Sequence, residues 1–195
     1  MKRRVVTGKR ILILCEGVTE EVYAKSLRTH FLTREMQRVV TVEVVRHKKN
    51  DPLNLLLEAK ERLAQAKREK QPFSTVWIFL DHDNSPHLDV VFREIQKYGY
   101  SVAFSAISIE FWFLLHFENS GKAFSNSSEC IKHLNKYWPN YHKTKLNHFK
   151  ELGGYLDIAI KRAEALEKRS AGVPLEKVQP ITTVHHLVAF FKKLN

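Results

Sequence analysis

Arg10-Ile-Leu-Ile-Leu-Cys-Glu-Gly-Val-Thr-Glu20 and Thr75-Val-Trp-Ile-Phe-Leu-Asp-His-Asp83 decide how the rest of the chain is read. Each begins as a short, bounded apolar run rich in β-branched or aromatic residues, which reads as a strand buried in a largely parallel sheet. Each then runs into acids. Ser101-Val-Ala-Phe-Ser-Ala-Ile107 repeats the pattern, with Glu110 just beyond it. Carboxylates at strand exits fall on one edge of the sheet, and that edge is where open α/β sheets bind ligands. Clustered there, they repel one another unless a cation or shared protons offset the charge, so a divalent metal is the economical reading.

Helices are expected between these strands. Gly17 supplies a turn, and Thr19-Glu-Glu21 opens a helix with Val22, Tyr23, Leu27 and Phe31 on its apolar side. A strand over Val39 to Val45 follows. Asn50-Asp-Pro52 starts a long helix to about Lys70 that turns Leu53, Leu56, Leu57 and Leu63 toward the sheet. After the Thr75 run, a helix from about His87 to Tyr98 stops at Gly99. Strand alternating with helix means βαβ crossovers. From Glu110 the pattern changes: Glu110-Phe-Trp-Phe-Leu-Leu-His-Phe117 is apolar almost all round, as in a helix wedged between a sheet and a further helical layer. Segments near Ser127–Tyr137, Gly154–Ser170 and Thr182–Lys193 have helical spacing, with a Pro, Asn, His and Lys-rich loop from Pro139 to Lys150.

The 195 residues carry 32 Lys and Arg against 21 Asp and Glu, a formal charge of +11 despite the acidic strand ends. Solubility alone is the bland explanation. A polyanionic partner is favoured, because lysines and arginines that hold phosphates around a carboxylate-lined metal site are what a nuclease needs. Cys15 and Cys130 are too few for a metal quartet and suggest a reducing compartment, and the basic start runs into a strand-length apolar segment rather than a signal peptide or membrane span. A cytoplasmic protein without a membrane partner is expected.

Glu16 and Glu20 are four residues apart, one on the turn and one in the first helical turn, so their carboxylates come near one point. The alternative for Glu20 or Glu21 is an acid that stabilises a helix N-terminus by roughly 0.3–1 kcal/mol. Asp81 and Asp83, one residue apart, face the same way in extended backbone and suit a hard cation; an Asx-turn leading to Pro86 is the alternative. Glu110 reaches the same edge unless it is only a helix-start acid. In Asn140-Tyr-His-Lys-Thr-Lys145 cations mix with aromatics, and Tyr141, His142, Lys143 and Lys145 are candidates to hold phosphate or stack a base, against the reading as a solvated loop. Ten histidines include no His-x-x-x-His or His-Glu-x-x-His pair, which sets zinc aside, and the turns of P-loop ATPases and α/β-hydrolases are missing.

Leu14-Cys-Glu-Gly-Val-Thr-Glu-Glu-Val-Tyr23, Phe79-Leu-Asp-His-Asp83, Ile109-Glu-Phe-Trp-Phe-Leu-Leu-His-Phe117 and Pro180-Ile-Thr-Thr-Val-His-His-Leu-Val188 together resemble the RloB-like family of prokaryotic proteins, nearly end to end. That family looks like a Toprim-type domain, the module of topoisomerases, DnaG-type primases and OLD-family nucleases, and is associated with restriction-modification and phage defence. The resemblance implies that Glu16 is a general acid/base or metal ligand, that Asp81 and Asp83 are metal ligands, and that Glu20 and Glu110 add a second metal position. The resemblance also implies a role for Lys143, resting on a lysine downstream of such acids rather than on a motif. No ATPase half is expected beside the domain, since these residues contain no P-loop turn.

The expectation is therefore a single domain with an α/β fold. Residues from about 8 to 108 form a Toprim-like, mostly parallel four-stranded sheet flanked by helices, and about 109 to 195 a helical C-terminal part packed on it. It would act as a Mg²⁺- or Mn²⁺-dependent nuclease on DNA or RNA, with other defence proteins or a second copy as further partners. Two rivals stand beside it. In a haloacid-dehalogenase-like phosphotransferase, Asp81 would be the nucleophile. In a binding module, the acids would hold only a structural metal.

Overall fold

The computed structural model describes residues 8–47, 51–144 and 147–194. Five strands form one sheet: β1 (Lys9–Cys15), β2 (Val40–Arg46), β3 (Thr75–Asp81), β4 (Ser101–Ala106) and β5 (Ile181–Thr182), in the order β2-β1-β3-β4-β5. The first four are parallel, and β5 runs antiparallel to β4. Four strands were expected, so the sheet is wider by one. Two residues of β5 offer no alternation to read, and the strand forms because Thr183 N–H donates to Phe104 O at 2.8 Å while Phe104 N–H donates to Thr183 Oγ1 at 3.0 Å.

β1 and β3 are buried along Ile11–Cys15 and Val76–Leu80, as strands covered on both faces should be. Helix α1 (Val18–Phe31) connects β1 to β2, α2 (Pro52–Arg68) connects β2 to β3, and α3 (Leu88–Lys97) connects β3 to β4. Asp51 caps α2 by accepting the N–H of Leu53, with Pro52 in the first turn. The run Leu55-Leu-Leu57 leaves the inward face of α2 ambiguous. Leu55, Leu56 and Ala59 are buried, whereas Leu57 stands 54% exposed, against the expectation for it. Gly99, at φ 65°, ends α3 as a left-handed C-terminal cap. Because β1 has β2 on one side and β3 on the other, the direction of winding reverses between β1 and β3, which places a crevice at their carboxyl ends.

Helix α4 (Ile109–Phe117) is buried at every position from Ile109 to His116. It packs on β4 and β5 and is covered by α5 (Ser127–Leu134) and α7 (Leu156–Arg169). Trp112 Nε1 donates to Tyr23 of α1 at 2.8 Å, and Arg162 of α7 donates to the Leu115 carbonyl at 2.7 Å. A short helix, α6 (His148–Leu152), interrupts the expected loop, capped by Asn147 and held by Phe149 against Phe31 and His30. Helix α8 (Val184–Leu194) closes the chain against β4 and α1. No helix among the described residues is long and apolar enough to cross a membrane.

Candidate metal centre

Glu16, the first residue past β1, donates its N–H to Phe79 O of β3 at 2.9 Å and accepts the N–H of Asp81 on its Oε2 at 3.2 Å. The two strand ends are thereby joined where the winding reverses. Gly17 caps α1. A Cβ at Gly17 would overlap Glu20 Oε2, so the glycine leaves room for a carboxylate that turns inward from the first helical turn and is 4% exposed. From the start of α4 comes Glu110, 1% exposed, whose Oε1 accepts from the Tyr141 hydroxyl at 2.7 Å and lies 3.7 Å from Lys143 Nζ. Asp83 is exposed. Its φ of 34°, followed by 53° at Asn84, means that it reaches the site through a left-handed turn, not through the extended backbone expected after Asp81. Glu16, Glu20, Asp81, Asp83, Glu110 and Lys143 line one cleft of about 350 Å³.

Burial of negative charge dominates the electrostatics. It raises the Glu16 carboxyl to about 7, against a partial lowering by the Asp81 N–H, with Glu20 and Asp83 adding repulsion. Asp81 is pushed well above the ordinary aspartate range by burial and then by Glu20, and Glu20 is raised by burial although its contact with Asp81 offsets part of this. Asp81 Oδ1 is sealed from solvent and has no hydrogen-bond partner among the described residues. Among those residues, no three of the cleft's acids bring ligand atoms within 4.8 Å of one another. The all-oxygen donor set suits a hard divalent ion such as Mg²⁺ or Mn²⁺.

The five candidate acids thus line one cleft, and the Tyr-His-Lys segment divides, with Lys143 at the same cleft. Tyr141 is drawn inward: its ring packs 5.1 Å from Trp138, 5.9 Å from Phe113 and 5.7 Å from His148, and its hydroxyl holds Glu110. These contacts fix the ring and tie its hydroxyl to the Glu110 carboxylate. His142 is exposed and stands off the cleft lining, with its Nδ1 accepting the N–H of Thr144 at 3.2 Å. Lys145 lies outside the described residues. Thr19 and the Asn84-Ser-Pro86 rim also line the cleft and carry no motif that would have singled them out.

The model of a protein family described as RloB-like protein matches residues 11–191, nearly the whole chain. No protein with a curated description matches.

Proposed function

We propose, from the premise that the chain belongs to the RloB-like protein family, that it is a Toprim-like, divalent-metal-dependent nuclease that hydrolyses phosphodiesters of DNA or RNA in the cytoplasm, in a prokaryotic phage-defence or restriction setting. One observation carries the reading. Five acids converge at the carboxyl ends of β1 and β3, and one of them, Asp81, keeps a solvent-sealed oxygen with no partner among the described residues. Glu16, Glu20, Asp81, Asp83 and Glu110 would hold Mg²⁺ or Mn²⁺. When bound, the ion supplies Lewis-acid polarisation of a phosphodiester and activation of water.

The chain's own groups divide the remaining work. Glu16, its orientation fixed by the Asp81 N–H that it accepts, stands beside the other acids where it would serve as a metal ligand or as a general acid/base. Lys143 is half exposed at the rim and presents a cation to phosphate oxygens, offsetting charge that develops on them. Tyr141 holds the Glu110 carboxylate in place.

The test is cleavage of labelled single- and double-stranded DNA and of total RNA with Mg²⁺, Mn²⁺ or EDTA, comparing wild type with Asp81→Asn. Cleavage that disappears with EDTA and in the variant is expected. Tight binding without cleavage by the folded protein would favour a binding module, and a trapped phosphate on Asp81 would favour the phosphotransferase.

A further inference from the structure

On the far helical layer, α7 and α8 bring together a second set of ligand-bearing side chains. His185 and His186 lie in the first turn of α8, and Glu167 in the last turn of α7. One ligand atom from each falls within 4.8 Å of the other two. His186 Nε2 is 3.0 Å from Glu167 Oε2, and His185 Nε2 is 3.1 Å from the same oxygen. The two rings are stacked obliquely, with centroids 4.1 Å apart.

The two histidines differ in one respect that bears on what the group is for. His186 makes an aligned hydrogen bond to Glu167 Oε1 at 3.0 Å and is half exposed. His185 is 3% exposed, its approach to Glu167 is not aligned as a hydrogen bond, and neither ring nitrogen has a hydrogen-bond partner among the described residues. A simple carboxylate–imidazole pair explains His186, whereas buried His185, 3.1 Å from the same carboxylate, makes no aligned hydrogen bond. Buried polar groups ordinarily find partners. Tetrahedral bonds of about 2.0–2.1 Å to nitrogen and oxygen place neighbouring donor atoms roughly 3.3–3.4 Å apart, and the two separations between histidine nitrogen and Glu167, 3.0 and 3.1 Å, lie near that. An open cleft of about 530 Å³ adjoins the group, and Glu164, one turn back on α7, lines it. Water or Glu164 is thus available for a fourth position.

We propose that His185, His186 and Glu167 bind a transition-metal ion of the Zn²⁺ class, which ties α7 to α8 at a site separate from the carboxylate cleft. Two imidazoles and one carboxylate favour borderline ions such as Zn²⁺ or Co²⁺ over Mg²⁺, so the two sites differ in the metal they select. No regular spacing announced it in the sequence, because adjacent histidines on one helix are completed by a glutamate on another.

The experiment uses the full chain with saturating Mg²⁺ to occupy the oxygen-only cleft, followed by calorimetric titration with Zn²⁺ and by the visible absorption of added Co²⁺. One equivalent of Zn²⁺ is expected to bind, with a tetrahedral Co²⁺ spectrum. His186→Ala and Glu167→Gln, both at partly exposed positions, should each weaken binding at least about 10-fold, since even the partners of metal ligands are worth that much. Asp81→Asn should leave Zn²⁺ binding intact. Failure of folded wild type to bind one equivalent would overturn the proposal. So would affinity unchanged in His186→Ala and Glu167→Gln, or an equivalent lost only in Asp81→Asn.

Discussion

At the scale of single residues, the cleft acids make stability depend on pH with a sign opposite to that of ordinary salt-bridged carboxylates. Glu16 titrates near its ordinary value of 4.5 when unfolded and at about 7 when folded. Below pH 4.5 both states hold the proton and no cost arises. As pH rises from there toward 7, the unfolded state releases its proton first, so stability falls; Glu20 and Asp81 act with the same sign. A divalent ion that favours the ionised carboxylates reverses the trend, and its affinity tightens as pH rises because binding expels protons. In EDTA, therefore, the melting temperature should drop between about pH 5 and 7, and Mg²⁺ should restore it most at the upper end. Asp81→Asn removes one buried charge while keeping the backbone N–H that Glu16 accepts. In EDTA it should melt above wild type by a few degrees, roughly 2–4 °C per kcal/mol relieved in a chain of this size, yet gain nothing from Mg²⁺. Equal Mg²⁺ stabilisation of both proteins would remove Asp81 from the metal site. The positions of Glu16 and Asp81 were legible in the sequence because an apolar run ending in an acid fixes a strand exit. The hydrogen bond from Tyr141 to Glu110 was not, since the two lie 31 residues apart and no periodicity links a loop tyrosine to a helix start.

Elements were legible in proportion to their length. β1 and β3 follow from apolar runs of five residues, β2 from alternation and the crossover helices from helical spacing, and α4 is the all-round apolar helix that its sequence announces, buried from Ile109 to His116. β5 and α6 are two and five residues long, too short to display a period, and each is set by particular side-chain contacts. In β5 these are the paired bonds between Thr183 and Phe104, together with Ser105 Oγ meeting Thr182 Oγ1 at 2.8 Å in a buried environment. Thr183→Val preserves shape but leaves the Phe104 N–H without its acceptor. It should cost about 1–3 kcal/mol, seen as a lower urea midpoint at unchanged slope. A loss within a few tenths of a kcal/mol would mean that another group takes over that N–H and that β5 is held by packing alone. The same strand feeds directly into α8, so the variant also probes how firmly the C-terminal layer is seated on the sheet.

Across the whole molecule, a formal charge of +11 coexists with five acids gathered in one cleft. On the proposed reading, excess cation elsewhere on the chain would draw in a polyanion, while the cleft itself would repel phosphate until a divalent ion offset the acids. Because the Tyr141 ring is packed among Trp138, Phe113 and His148, nucleic acid has little aromatic surface at the cleft on which to stack, and cation–phosphate contacts should dominate its binding. This makes a definite prediction for the cleavage-deficient Asp81→Asn protein in Mg²⁺. A footprint of four or five phosphates gives a slope of about −3.6 to −4.5 in log K against log salt, so affinity should fall roughly 100- to 500-fold between 50 and 200 mM salt. Fluorescence anisotropy with a short labelled oligonucleotide measures it directly, and different base compositions should give similar affinities. A slope near zero would mean that the basic surface does not hold nucleic acid, and would direct the search toward a small phosphoester or a protein partner for the same cleft. A steep slope combined with strong base preference would instead require base contacts beyond the cleft, with the exposed His142 the first residue to substitute.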